Sequence, residues 1–362
     1  MTDTRFPILG VEYIEFYVGS AKQTAYMLKR SFGFQEVAYS GIETGRTDGV
    51  SHVLTSGEAH FVISGSLSPH SRIARHVAEH GDSVRDIALR VPNVRHALSV
   101  ARARGAIMIQ DATVMKDEHG SVVVGKIGTY GDTVHTLIER VDYTGPFLPG
   151  FRGVTEERSN PIGLIAVDHI VGNVELGKMN QWADYYARVM GFTNRQSFSD
   201  KDISTKYTAL MSKVMEDGAG KVKFPINEPA GQEKSHVDEY LDFNRGPGVQ
   251  HIAMETKDIV ATVCALQAHG VEFSPIPQAY YDILRTRFAD IDTVDIDMLA
   301  ELGILADRDE DGYLLQIFTK HVVDRPTLFF EIIERQGSRG FGIRNFQALF
   351  EAKELERTQR TK

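Results

Sequence analysis

Runs of alternating apolar and polar residues, each followed by apolar positions at helical spacing, recur along this chain in a fixed order. Val11-Glu12-Tyr13-Ile14-Glu15-Phe16-Tyr17-Val18-Gly19 alternates and is rich in β-formers, which predicts a strand. It leads through an Ala-, Tyr- and Leu-containing helical stretch to the turn Gly33-Phe34. Val167-Asp168-His169-Ile170-Val171-Gly172-Asn173-Val174-Glu175 opens a second such run, which passes through Trp182-Ala183-Asp184-Tyr185-Tyr186 to Gly191-Phe192. Each reads as strand, helix, Gly-Phe turn and strand.

The correspondence continues downstream. Val84-Arg85-Asp86-Ile87-Ala88, before a helix ending near Gly105, matches Val249-Gln250-His251-Ile252-Ala253, before a helix ending at Gly270. Asp117-Glu118-His119-Gly120 precedes a strand just as Asp309-Glu310-Asp311-Gly312 does, and Thr136-Leu137-Ile138-Glu139-Arg140 aligns with Glu331-Ile332-Ile333-Glu334-Arg335. Such ordered self-similarity marks an internal duplication. The fold predicted is α+β: two homologous halves, each a pair of βαβββ units closing into a half-open barrel. The halves are assigned to residues 1–150 and 160–362, with the boundary in the Gly/Pro-rich stretch between Thr144 and Gly163.

Composition narrows the class. The 362 residues are 42% hydrophobic and 25% charged, as in an ordinary globular protein. Lys and Arg number 40 against 49 Asp and Glu, a net charge of −9, so no global basic field favours nucleic acid or anionic membrane. One cysteine, Cys264, excludes an intrachain disulfide and a thiolate zinc cluster. Met1 to Leu9 lacks the apolar core of a signal peptide, and no run reaches the about 18 apolar residues of a membrane span. A cytoplasmic protein is expected.

The duplication also locates chemistry. Tyr13, Asp86 and Thr136 of the first half align with His169, His251 and Glu331 of the second. A lone histidine on a strand is usually structural. Two imidazoles and a carboxylate at three equivalent strand positions are instead the facial set that binds non-heme Fe(II) and leaves open positions. Glu331 strengthens the case: alternation puts it on one face with Phe329 and Ile333, where an uncompensated carboxylate costs several kcal/mol. Glu334-Arg335, echoed by Glu139-Arg140, reads more simply as a surface pair.

Several stretches carry a family resemblance: Lys221-Val222-Lys223-Phe224-Pro225-Ile226-Asn227-Glu228-Pro229, Gly248 to Ala253, Leu305 to Phe318, Phe329 to Arg335, and Gly340-Phe341-Gly342 with Asn345-Phe346. With these the chain resembles the 4-hydroxyphenylpyruvate dioxygenase family of the vicinal oxygen chelate superfamily, over nearly its whole length. The resemblance implies an iron enzyme of tyrosine catabolism that converts 4-hydroxyphenylpyruvate and O2 to homogentisate and CO2. Oxidative decarboxylation, ring hydroxylation and side-chain migration make up that reaction. Fe(II) would sit on His169, His251 and Glu331. Phe318 and Phe346 would sandwich the substrate ring, with Asn345 beside them. Ser212, Pro225, Asn227, Gln250 and Gln316 would complete the pocket. The first half would be a metal-free partner, and the protein a homo-oligomer, dimer or tetramer.

The resemblance further implies a C-terminal gate helix over residues 343–357, hinged at Gly337, Gly340 and Gly342. Its apolar positions Ile343, Phe346, Leu349 and Phe350 are expected to dock, and Glu351, Lys353, Glu354, Glu356 and Arg357 to face water. The alternative is a hydroxymandelate synthase acting on the same substrate, or a related 2-oxo acid dioxygenase. Phe346 and Phe224-Pro225-Ile226-Asn227-Glu228-Pro229 side with the dioxygenase, since the synthase is expected to carry a smaller aliphatic residue after the Asn. Isomerases share the fold but usually want a fourth carboxylate ligand, and none stands out. This chain departs from the family pattern at His236, His321 and Arg344, where Gln, Pro and Gly are expected.

Overall fold

The computed structural model describes residues 5–155, 162–204, 208–231, 233–291 and 294–360. The middle of the expected boundary, residues 156–161, lies outside them. The first half runs β1 (Gly10–Val18), α1 (Ala21–Phe32), β2 (Gln35–Ser40), β3 (Gly49–Ser56) and β4 (Ala59–Ser66), then α2 (Arg72–His80). A second module follows: β5 (Ser83–Arg90), α3 (Val94–Ala103), β6 (Ile107–Asp117), β7 (Gly120–Gly128) and β8 (Val134–Val141), with the short β9 (Arg152–Gly153) behind it. The second half repeats the plan with β10 (Leu164–Asn173), α4 (Met179–Met190), β11 (Thr193–Phe198), β12 (Thr208–Glu216), β13 (Lys223–Gly231) and α5 (His236–Asn244). Its last module is β14 (Gly248–Thr256), α6 (Ile259–Ala268), β15 (Leu305–Arg308), β16 (Tyr313–Phe318) and β17 (Phe329–Gln336). Two helices, α7 (Gln278–Arg287) and α8 (Ile296–Leu302), are inserted before β15, and α9 (Ile343–Arg360) closes the chain.

Four βαβββ modules thus form two curled sheets. In each, the paired modules meet antiparallel through their first strands, β1 with β5 and β10 with β14. The Gly-Phe turns end the first helix of each half for one reason. Gly33 and Gly191 take left-handed φ values of 69° and 76°, which a side chain would resist, so the helix stops and the next strand begins. The two sheets pack against each other through helix-covered outer faces. Phe32 of α1 meets Phe330 of β17 with ring centroids 5.0 Å apart, and one apolar core spans both halves.

Glu139 and Glu334 are not surface ornaments. Each accepts a hydrogen bond from the first backbone N–H of the module's helix, Val94 at 2.9 Å and Ile259 at 2.8 Å. A carboxylate there satisfies an orphan donor and the positive end of the helix dipole. Their neighbours Arg140 and Arg335 also correct the expectation. Arg140 Nε donates to Glu12 at 2.6 Å, and Arg335 Nε donates to Asp168 at 2.7 Å. Glu12 and Asp168 are repeat-equivalent, so the duplication has kept an ion pair as well as a scaffold.

Candidate metal centre

Strand register assembles the candidate ligands. His169 on β10 and Glu331 on β17 both lie opposite Ala253 on β14, from its two sides. His251 stands two residues before Ala253 and so points to the same face. Three adjacent strands therefore deliver three side chains into one barrel interior. They are 3%, 1% and 1% exposed for His169, His251 and Glu331. Glu331 Oε2 lies 3.2 Å from His169 Nε2 and 3.4 Å from His251 Nε2.

Two β-bulges orient the imidazoles. The pairing of β10 with β14 skips Asp168 and Gln250, the residues just before the histidines. Each skipped residue turns back onto its neighbour. His169 Nδ1 donates to Asp168 Oδ1 at 2.7 Å, and His251 Nδ1 donates to Gln250 Oε1 at 2.9 Å. With the proton on Nδ1, each Nε2 presents a lone pair toward an acceptor carboxylate, an arrangement that a cation between them satisfies. Asp168 is itself clamped by Arg335, 2.7 and 2.9 Å away, and Lys223, 3.3 Å away. Gln316 Nε2 donates to Glu331 Oε1 at 2.8 Å, which leaves Oε2 for the two histidines.

Electrostatics hold Glu331 ionised and His251 neutral, the forms in which each binds a metal. Burial pushes the Glu331 carboxyl up, but His169 and His251 beside it hold it down at about 2. Burial pushes His251 down to about 4, against the pull of Glu331. Burial also disfavours charge on His169, yet Glu331 and Asp168 outweigh it and raise its pKa. The donor set of two nitrogens and one carboxylate, with no cationic side chain between them, fits a first-row divalent metal.

A cavity of about 10 Å³ adjoins the triad, walled by Phe198, Pro225, Gln316, Phe318, Phe341 and Phe346 among others. Of the expected pocket residues, Pro225, Gln316, Phe318 and Phe346 line it. Gln250 does not, its Oε1 being turned to His251, and neither do Ser212 and Asn227. These last two face each other across β12 and β13, two residues beyond the lining pair Val214 and Pro225 on the same face. Ser212 Oγ and Asn227 Oδ1 are buried without a hydrogen-bond partner, an arrangement that a polar ligand would complete. Phe346 stacks on Phe198, centroids 5.4 Å apart and planes 8° apart, instead of facing Phe318 across an open slot. Phe198 and Phe341 were not anticipated, although Phe341 lies in a quoted motif and meets His169 edge-on at 5.1 Å.

Asn345 acts through others. Its Nδ2 donates to Gln316 Oε1 at 2.9 Å, and the Tyr280 hydroxyl lies 2.7 Å from its Oδ1. A chain Tyr280–Asn345–Gln316–Glu331 therefore runs from the inserted helix α7, through the first turn of α9, to the triad. Gly342 makes the approach possible, for a Cβ there would lie 2.9 Å from Gln316 Oε1.

The polar side of α9 is not a solvated face. Lys353 is 1% exposed; its Nζ donates to Ser274 Oγ at 2.9 Å and to Thr319 O at 3.0 Å, and sits 4.2 Å above the Phe329 ring. Glu354 and Glu356 are buried too, and Glu354 takes His236 Nδ1 at 3.0 Å. Ile343, expected to dock, is the exposed member. The three departures from the family pattern all touch this region. His236 ties α5 to α9, His321 meets Phe329 edge-on at 5.9 Å, and Arg344 N donates to Asp307 at 3.2 Å.

The repeat-equivalent site of the first half is filled differently. Asp86 accepts from Thr136 N at 2.9 Å and from Lys126 Nζ at 3.1 Å. Lys126 lies opposite Thr136 as Phe318 lies opposite Glu331, so an ammonium replaces the aromatic wall and neutralises the buried carboxylate.

Comparison with known proteins defines the class first. Residues 166–317 match the Glyoxalase/Bleomycin resistance protein/Dioxygenase superfamily, and residues 3–147 match the N-terminal domain of hydroxyphenylpyruvate dioxygenase. The chain is 44% identical to 4-hydroxyphenylpyruvate dioxygenase of Yarrowia lipolytica, over 97% of this chain and 93% of that relative. It is 43% identical to the enzyme of that name from Caenorhabditis elegans, over 97% and 93%. Among solved structures, a mutant of 4-hydroxymandelate synthase from Streptomyces coelicolor superposes with a TM-score of 0.88 at 35% identity, covering 97% of this chain and 99% of that one. The chain belongs to the 4-hydroxyphenylpyruvate dioxygenase family.

Proposed function

We propose that this protein is an Fe(II)-dependent dioxygenase that converts 4-hydroxyphenylpyruvate and O2 to homogentisate and CO2. The observation that carries the reading is the buried convergence of His169, His251 and Glu331, each already oriented by a neighbour. These residues would hold the iron, which when bound supplies the O2 activation and oxidising power that the protein groups lack. Two imidazoles and one carboxylate leave positions open for a bidentate 2-oxo acid and O2.

The remaining roles belong to this chain's own side chains. Asp168 and Gln250 keep protons on the Nδ1 atoms, so both Nε2 atoms stay available. Phe318, Pro225 and Phe346 wall the space beside the triad and hold the substrate ring, while Ser212, Asn227 and Gln250 supply polar contacts. Gln316 and Asn345 couple the carboxylate to the helix above it.

A space of about 10 Å³ holds about one water, so an aromatic substrate enters only when α9 moves. Residues 343–357 are thus assigned as the gate. Gly337, Gly340 and Gly342 are its proposed hinge; Gly337 and Gly342 take left-handed φ values of 84° and 63° that a side chain would resist. Residues 160–362 form the catalytic iron domain in this reading, and residues 1–150 a metal-free partner. The reading includes a cytoplasmic homo-oligomer serving tyrosine breakdown. Among the described residues no helix is long and apolar enough to cross a membrane.

Gas exchange tests the reaction class. With Fe(II), 4-hydroxyphenylpyruvate and air, CO2 release should keep pace with O2 uptake, mole for mole. Uptake of O2 without release of the substrate's carboxyl carbon would overturn the assignment.

A further inference from the structure

A second cluster of metal-type donors lies away from the triad, at the seam between the halves. His76 and His80 stand one turn apart on α2, with ring centroids 4.5 Å apart, and Asp132 approaches from the turn after β7. Their ligand atoms all lie within 4.8 Å of one another. The helix is well defined here, since Ser71 caps it by accepting from Ala74 N at 3.0 Å. The turn is also fixed. Thr129 and Thr133 close it with a 3.0 Å backbone hydrogen bond, and Gly131 passes so close to Pro247 that a Cβ would meet its carbonyl at 2.4 Å.

The wiring of His80 repeats that of the triad histidines. Its Nδ1 donates to the Asn244 carbonyl of α5 at 2.6 Å, and its Nε2 faces Asp132 Oδ2 at 3.1 Å. With Nδ1 committed to that carbonyl, Nε2 is the atom left to face the carboxylate, and a cation between them would be held by both. His76 is buried beside it, with Nε2 2.9 Å from Ser83 Oγ. Asp132 is 65% exposed, so an ion arrives from solvent on that side while both imidazoles stay 7% exposed behind it.

We propose that His76, His80 and Asp132 form a second divalent-cation site, suited to zinc, at the seam between the two halves. Two imidazoles and one carboxylate supply three of the four ligands of tetrahedral zinc, and water completes the set. A cation there ties α2 to the Asn244 end of α5, whose other end carries His236 against the gate helix.

Zinc titration of the metal-free protein tests the site by counting. The wild type should bind two equivalents, one of them at the triad. Asp132→Asn, altered at a mostly exposed side chain, should keep one and weaken the other by at least about 10-fold. His76→Ala should do the same, and Glu331→Ala should retain the equivalent that Asp132→Asn loses. If the wild type binds a single equivalent that Glu331→Ala abolishes, no second site exists. If the second equivalent survives both Asp132→Asn and His76→Ala, it is adventitious surface zinc and the assignment is wrong.

Discussion

Glu331→Ala should abolish turnover and metal binding at the triad while the protein remains folded. Removing the carboxylate leaves two imidazoles with no anion to neutralise a dication. Even loss of an outer partner of a metal ligand costs about 10–100-fold in affinity or activity, and a ligand costs more. The structural price is smaller, because the substitution orphans one donor, Gln316 Nε2. A buried unsatisfied group costs about 1–3 kcal/mol, against about 5–15 kcal/mol of total stability. Metal analysis, activity and a thermal melt of the same sample separate these effects. Tyr13, Asp86 and Thr136 give an internal control, since substitutions there should alter stability alone. A Glu331→Ala protein that still turns over would remove the carboxylate from the site.

Truncation after Gly342 should leave metal binding intact and uncouple O2 uptake from product formation. The three ligands sit on β10, β14 and β17, and none belongs to α9. The helix instead contributes Phe346 and Leu349 to the cavity wall and Asn345 to the chain that orients Gln316. Without it, water reaches the reacting centre and the ring loses a wall, so oxidising equivalents are spent without hydroxylation. The truncated protein gives up substantial packing. Burial of Leu349 and Phe350 stabilises the docked helix by roughly 1.5–3 kcal/mol each. An O2 electrode run beside product chromatography reads the result. Normal coupling in the truncated protein would reduce the helix to a packing element.

The duplication was legible because both halves keep the same alternation, the same Gly-Phe helix stops and the same strand order. Ligand positions followed, because register carries His169 and Glu331 to the two sides of Ala253. Long-range partners were not legible. Arg335 follows Glu334 at a strand end and reads as surface, yet its partner Asp168 lies 167 residues away. Lys353 and Glu354 gave α9 the pattern of a solvated face, and only the distant Ser274, Thr319 and His236 make their burial tolerable. Helices α7 and α8 have no counterpart in the first half, so the repeat was silent about them and about Tyr280. Phe198 entered the cavity wall by stacking on Phe346, a contact that no local spacing announces.

The most direct test is the identity of the aromatic product. The proposed dioxygenase reaction puts oxidation on the ring, and the synthase alternative puts it on the benzylic carbon. In this chain Phe346 projects from α9 into the cavity wall, stacked on Phe198, and Phe318 of β16 lines the same cavity. Ring hydroxylation requires that wall to hold the ring where it is attacked. Purified protein given Fe(II), ascorbate, O2 and 4-hydroxyphenylpyruvate should therefore yield homogentisate on chromatography. Hydroxymandelate as the main product would contradict the account.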